Sequence, residues 1–349
     1  ACSSRATVTL FENKDIEPGF LQPSIRARIE GSRSSNVVVV IGGHIDSANF
    51  FDPETNESTF TSEGEDPRWS SLPAPGADDD LSGSALIFEV FRVLVESGFV
   101  PDRSLEFLAF AGEEKGIVDG AVTGKAGSHL LAQFYREQGI QVAAMYNFDS
   151  VGIPYAGGVC NPLNAPLNAL GIFGDPNDPT TPNIDPFITD LFVDSVEQYA
   201  EEPYIPFLGS NGASDHLSFI SFNLPAGGGV ESNIASSGLN LCGFENQRHH
   251  TDKDTIEHID FRYLKQFARS ALGFMIESSF VPSRFNSGAT FTPEGCSSSY
   301  SSFTYSVTSP PNDSSETRLL ETSSSSVIDI TEFVSSESSN SARVTPASL

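Results

Sequence analysis

"NVVVVIGG", residues 36–43, is a continuous β-branched run that ends in two glycines. It shows no alternation of polar and apolar residues, so the strand it forms must be covered on both faces. That pattern suits the centre of a sheet sandwiched between helices. Working outward, "SLEFLAFAG" (104–112) and "QVAAMYNFDSVG" (141–152) read as two further buried strands. Between and beyond them lie apolar residues at helical spacing. "SGSALIFEVFRVLVESG" (82–98) predicts a helix with Ser82 as its cap and Gly98 as its stop. "SHLLAQFYREQG" (128–139), "DPFITDLFVDSVEQYAEE" (185–202) and "FRYLKQFARSALGFMIESS" (261–279) predict three more. Strands alternating with helices over short connections imply an α/β fold: a doubly wound, mainly parallel central sheet flanked by helices.

Composition narrows the function. The chain has 349 residues, 38% of them hydrophobic, enough for one large domain or two smaller ones. Its formal net charge of −27 argues against nucleic acid and anionic membrane as partners. No apolar run approaches the ~20 residues that span a bilayer. No basic segment followed by an apolar one reads as a leader, so any signal peptide is expected to have been removed. Cys2, Cys160, Cys242 and Cys296 form no C-x-x-C pair, which argues against a structural zinc knuckle. Their even number and wide spacing suit two disulfides in an oxidising compartment, with three pairings open. Asn56-Glu57-Ser58 and Asn312-Asp313-Ser314 are glycosylation triplets. Together these point to a secreted glycoprotein. After about residue 280 the composition turns Ser- and Thr-rich, so residues 281–349 read as a tail, a stalk or a small module.

In an open α/β sheet, ligands gather beyond the carboxyl ends of the strands. The first strand ends in "GGHIDS", which delivers His44 and Asp46. The second ends in "GEEKG", with Glu113 and Glu114, and the third in Asp149. "APGADDDLSG" (74–83) lies between the first strand and its helix, and "QRHHTDKDT" (247–255) adds His249 and His250. Carboxylates converging on one edge repel unless cations neutralise them. Imidazole with carboxylate is a ligand set that suits zinc. A carboxylate bridging two metals suits hydrolysis. "SDH" (214–216) lacks the G-x-S-x-G elbow of a serine hydrolase.

The motifs "GGHIDS", "APGADDDLSG", "FAGEEKG", "NFDSVG", "SDHLSF" and "HTDKDT", in that order, resemble those of the co-catalytic dizinc exopeptidases. The resemblance is closest to secreted bacterial and fungal leucyl-type aminopeptidases and covers about residues 30–278. It implies a catalytic domain over residues 1–280 that holds two zinc ions. His44, Asp79 and Asp149 would hold one ion, and Asp79, Glu114 and His250 the other, with Asp79 as the bridge. Glu113 would be the general base and Asp46 the carboxylate that orients His44. Ser214 would support the ligands, and His249 would be a neighbour of the centre. The Asp79–Asp80 peptide bond would be cis, with Asp78 and Asp80 as supporting or solvated neighbours.

The implied reaction is hydrolysis of the first peptide bond of a substrate with a free N-terminus, by a monomer. Val230 and Glu231 would fall at the substrate pocket. The glycines of "LPAGGGVES" (224–232) imply a larger or more mobile pocket than in leucyl-type relatives. "SNGASDH" (210–216) lacks the cysteine pair that such relatives carry before "SDH". "NFFDPETNESTFTSEGEDPRW" (49–69) is a long polar insertion placed to shape one rim. The alternatives are a carboxypeptidase or a glutaminyl cyclase of the same fold, and a non-catalytic binding ectodomain. The last is disfavoured because every ligand position and Glu113 carry competent residues.

Overall fold

A computed structural model describes residues 6–11, 22–50, 60–61, 64–65, 72–114, 116–118, 121–154, 168–174, 184–209, 212–231 and 248–280. All four cysteines, both glycosylation triplets, most of the 49–69 insertion and residues 281–349 lie outside the described residues. In chain order the strands are β1 (Ala6–Phe11), β2 (Ser24–Ile29), β3 (Ser34–His44), β4 (Phe60–Thr61) and β5 (Gly64–Glu65). Helix α1 (Leu81–Glu96) leads to β6 (Arg103–Phe110), then to the hairpin β7 (Gly116–Val118) and β8 (Ala121–Thr123). Next come α2 (Ala126–Gln138), β9 (Gln141–Asp149), β10 (Ala169–Phe173), α3 (Pro186–Tyr199) and β11 (Ile205–Gly209). The last elements are α4 (His216–Ser221), β12 (Ala226–Glu231) and α5 (Phe261–Ser278).

Eight strands make one sheet in the order β1-β2-β6-β3-β9-β12-β10-β11. Its centre, β6-β3-β9-β12, is parallel throughout. The flanks are mixed: β2 joins β6 antiparallel, β1 joins β2 antiparallel, and β10 runs antiparallel to β12 but parallel to β11. The doubly wound parallel core is therefore as the sequence implies. The flanking strands left no comparable signal: β1 and β2 are six residues each and only partly apolar, and β10 is apolar but five residues long.

The β-branched run of β3 explains the layering. Side chains alternate across a strand. Val39 and Ile41 enter one core with Leu86, Ile87 and Val90 of α1, Phe192 and Val196 of α3, and Phe267 and Phe274 of α5. Val38 and Val40 enter a second core with Leu131 and Tyr135 of α2 and Phe219 of α4. Each such side chain, fully buried, contributes roughly 1.5–3 kcal/mol over its exposed state. A polar residue at any of these positions would leave one helical layer without its seat.

The helix ends refine the expected spans by up to three residues. The N-cap of α1 is Asp80 rather than Ser82: the Asp80 carboxylate accepts from Gly83 N. Ser82 Oγ instead donates to Asp78 O and accepts from Val151 N. Gly98, at φ +69°, follows the helix and turns the chain out of it. Asp260 caps α5 by accepting from Arg262 N and Tyr263 N. Among the described residues no helix is long and apolar enough to cross a membrane.

Candidate metal centre

The parallel centre puts the carboxyl ends of β3, β6, β9 and β12 on one edge of the sheet. β3 ends at His44, β9 at Asp149 and β12 at Glu231, and Glu113 and Glu114 follow β6. The α1 entry supplies Asp78–Asp80, and the turn before α5 supplies His249 and His250. His44 Nε2 lies 3.1 Å from Asp79 Oδ1 and 3.7 Å from Asp149 Oδ1. The other Asp79 oxygen, Oδ2, lies 3.0 Å from His250 Nε2 and 3.1 Å from His249 Nδ1. His250 Nε2 is also 3.0 Å from Glu114 Oε2. One carboxylate thus faces two donor sets, one through each oxygen.

The aspartate triplet is anchored, not solvated. Asp78 and Asp80 are completely buried, so of the two expected parts, supporting or solvated, they take the supporting one. Asp80 accepts from His44 N, Gly83 N and Ser150 N, tying β3, α1 and the end of β9 together. Asp78 accepts from Gly152 N. The peptide bond between Asp79 and Asp80 is cis. His250 sits at φ +56°, a left-handed conformation uncommon for a non-glycine residue, and its carbonyl accepts from Phe50 N.

Asp46 acts differently from its expected part. The His44 Nδ1 partner is the Asp46 main-chain carbonyl at 3.0 Å, while the nearest Asp46 carboxylate oxygen is 3.8 Å away. That carboxylate accepts instead from Glu113 N and Glu114 N, both at 3.0 Å. Asp46 therefore fixes the imidazole with its backbone and the two glutamates with its side chain. Ser214 Oγ accepts from the buried Asn147 side chain. Val230 is buried with Phe173 and Ile184, and Glu231 is buried while accepting from Ile153 N.

The glycine run does not open a pocket. A Cβ on Gly227 would lie 3.2 Å from Ile188, and one on Gly228 would lie 2.8 Å from Phe173. On Gly229 it would lie 3.2 Å from Tyr146. These glycines admit large neighbouring side chains against β12, so the space is filled from outside the strand.

Charge in the centre is heavily perturbed. Burial alone would raise the Asp79 carboxyl, but His249, His250 and His44 outweigh it and hold the group well below the usual range. Burial, opposed in part by His44 and reinforced by Asp215 and Asp149, raises Glu113 well above an ordinary glutamate. Burial and the nearby Asp79 charge also raise Glu114. Burial works against a charged His250, yet Glu114 and Asp79 raise it to about 10. Lys125 brings a cation to this edge, its Nζ 4.0 Å from Glu113 Oε1. Sequence reasoning passed over Lys125, because it belongs to no motif.

The donor set fits divalent zinc. Tetrahedral zinc with bonds of about 2.0–2.2 Å holds its ligand atoms roughly 3.3–3.6 Å apart. The ligand atoms of His44, Asp79 and Asp149 lie within 4.8 Å of one another, as do those of Asp79, His249 and His250. Glu114 Oε1 is buried without a hydrogen-bond partner, an arrangement that a cation would relieve. His249 stands as close to Asp79 as His250 does, and the two rings lie 3.8 Å apart.

Residues 24–275 match the model of peptidase family M28. The chain is 31% identical over 270 residues to leucine aminopeptidase 1 of Coccidioides posadasii, covering 76% of this chain and 58% of that protein. It therefore spans less than two thirds of that relative's length. Its fold is similar to the crystal structure of the Legionella pneumophila LapA aminopeptidase (TM-score 0.56, 23% identity, 79% of this chain and 58% of that one). It is also similar to Bacteroides thetaiotaomicron glutaminyl cyclase (TM-score 0.54, 16% identity, 79% and 84%). At those identities the two structures speak for the fold. The extent of the family match, with the identity to the fungal protein, shows that the chain belongs to peptidase family M28.

Proposed function

We propose that this protein is a zinc-dependent aminopeptidase that releases the first residue from peptides with a free N-terminus. The observation that carries the reading is the position of Asp79, with His44 3.1 Å from one carboxylate oxygen and His250 3.0 Å from the other. His44, Asp79 and Asp149 would hold one zinc ion, and Asp79, Glu114 and His250 a second. Glu114 takes the second position in this reading because its Oε2 lies 3.0 Å from His250 Nε2, on the same side of the centre as Asp79 Oδ2. When bound, zinc supplies Lewis acidity, which acidifies water and polarises a carbonyl.

The chain's own residues do the rest. Glu113 stays off the metals and takes a proton from water at its carboxylate, then delivers it to the leaving amine. The Asp46 carboxylate holds the backbone under Glu113 and Glu114, so one glutamate can serve as ligand while its neighbour moves protons. Residues 1–280 form the catalytic domain in this reading, with 281–349 as an extension. Four cysteines and two glycosylation triplets support a secreted protein; a monomer is the simplest working unit.

The test is a panel of aminoacyl-nitroanilides, N-blocked peptides and C-amidated peptides, run beside metal analysis. Cleavage of free-N-terminus substrates with two zinc ions per chain supports the reading. Cleavage only of substrates with a free C-terminus would make it a carboxypeptidase. Cyclisation of N-terminal glutamine with one zinc and no peptide cleavage would make it a glutaminyl cyclase.

A further inference from the structure

Lys125 occupies a position that local structure disfavours. It is the N-cap residue of α2, where Ser, Thr, Asp and Asn are preferred, and it makes no side-chain cap. Its φ is +69°, a left-handed conformation that costs a non-glycine residue energy. Its charge stands at the positive end of a helix dipole, also unfavourable. Nothing local explains a lysine here.

Its surroundings do. Lys125 N donates to Glu113 O at 2.8 Å, Ala126 N to Gly112 O at 2.8 Å and Gly127 N to Ala111 O at 2.8 Å. These bonds lock the start of α2 against the segment that carries Glu113. The ammonium lies beside the Glu113 carboxylate, 4.0 Å from Oε1, with 27% of the side chain exposed. At that distance it makes no hydrogen bond to Glu113. Among the described residues, that is its only ion pair. The main chain of Lys125 is fixed in place, and its ammonium is partly solvent-facing in an edge otherwise crowded with carboxylates.

The geometry points to Lys125 as a subsite for a substrate carboxylate on the leaving-group side of the scissile bond. This rests on the aminopeptidase reading above. A base that returns its proton to the leaving amine stands on the leaving-group side, and Lys125 stands beside that base. In a dipeptide the carboxylate carbon lies about 2.5 Å from the leaving nitrogen, given standard bond lengths. An Asp side chain on the second residue places its carboxylate carbon one bond further out, about 3–4 Å from that nitrogen. The ammonium offsets the repulsion such a carboxylate would meet from Glu113. Substrates with a carboxylate on their second residue are therefore favoured over neutral ones.

The experiment uses the zinc-loaded full chain and two substrate pairs. Leu-Gly against Leu-Gly-amide reads the free C-terminal carboxylate, and Leu-Asp-amide against Leu-Asn-amide reads an acidic side chain. The expected result is a kcat/KM ratio of about tenfold in favour of the carboxylate in at least one pair, expressed mainly in KM. Lys125→Met should bring that ratio close to one, and Lys125→Arg should keep most of it. The ratio is internal to each variant, so a general loss of activity does not alter the reading. An equal ratio in wild type and Lys125→Met, or no preference in the wild type, overturns the assignment. Wild-type protein that cleaves none of the four substrates, nor any aminoacyl-nitroanilide, instead sinks the aminopeptidase reading and this subsite with it.

Discussion

Asp254 holds the main chain of Asp79. Its Oδ2 accepts from Asp79 N at 3.0 Å and its Oδ1 from Asp78 N at 3.0 Å, across 175 residues of sequence. The turn that carries His250 thereby fixes the backbone of the carboxylate that His250 faces. Both acceptor oxygens are used, so an amide cannot replace them: Asp254→Asn would set an N–H against an N–H. Residues that orient metal ligands typically cost 10–100-fold in affinity when changed. We expect Asp254→Asn to weaken zinc binding by about tenfold or more, measured by competition with a chelating dye, and excess zinc to restore turnover. Unchanged zinc affinity would mean that Asp79 is oriented by other contacts.

Glu113 is buried beside the centre but assigned to no metal. Its replacement by Gln keeps the shape and removes the proton acceptor. General bases contribute typically 10²–10⁴-fold. Glu113→Gln is expected to lower kcat by about that factor while binding the same amount of zinc as wild type. Near-normal kcat in that variant would give the base role to another group.

Far from the metal ligands, Glu106 is completely buried on β6. It accepts from Arg26 and Arg28 of β2 and from the hydroxyl of Tyr135 on α2. Glu106→Gln takes the counter-charge from Arg26 and leaves Arg28 only the more exposed Glu30. Breaking a buried pair costs on the order of 3 kcal/mol, which corresponds to a Tm fall of roughly 6–12 °C for a domain this size. We expect that fall in calorimetry, with kcat/KM at low temperature within about twofold of wild type. A stable Glu106→Gln protein would show that the arginines find other acceptors or water.

What the sequence discloses here follows from how local the signal is. The run Val37–Ile41 announces a strand covered on both faces because every residue must be apolar. His44, Asp149 and the Glu113–Glu114 pair are legible because they end or follow such strands, where a parallel sheet gathers its ligands. Asp78 and Asp80 are not legible in the same way. Three adjacent aspartates look like surface charge, and the amides that justify their burial come from His44, Ser150 and Gly152. The glycines of β12 misled for a similar reason. Their lack of side chains suggests open space, but Phe173, Ile188 and Tyr146 fill it from other elements. Lys125 carried no sequence signal because its meaning lies in a distance to Glu113, not in a motif.

Removing the metal should matter more as pH rises. Burial, with the Asp254 charge, pushes Asp78 up to about 7, and burial with the Asp79 charge does the same to Glu114. Their ordinary values are 3.8 and 4.5. Between those limits these two groups bind more protons in the metal-free folded chain than in the unfolded one, so their contribution to stability falls as pH rises. The stabilisation these groups give is complete below about pH 4 and is lost as pH passes about 7. Zinc acts in the opposite direction, because it binds the deprotonated ligands. The difference in Tm between zinc-loaded and chelator-stripped protein is therefore expected to widen from about pH 5 to about pH 8. With free zinc near 1,000 times its Kd, the gain is about 4 kcal/mol, or roughly 8–16 °C. Differential scanning calorimetry at the two pH values reads it directly. A Tm unaffected by chelator at about pH 8 would show that the carboxylates are neutralised without metal, and would remove the physical basis for placing zinc at Asp79.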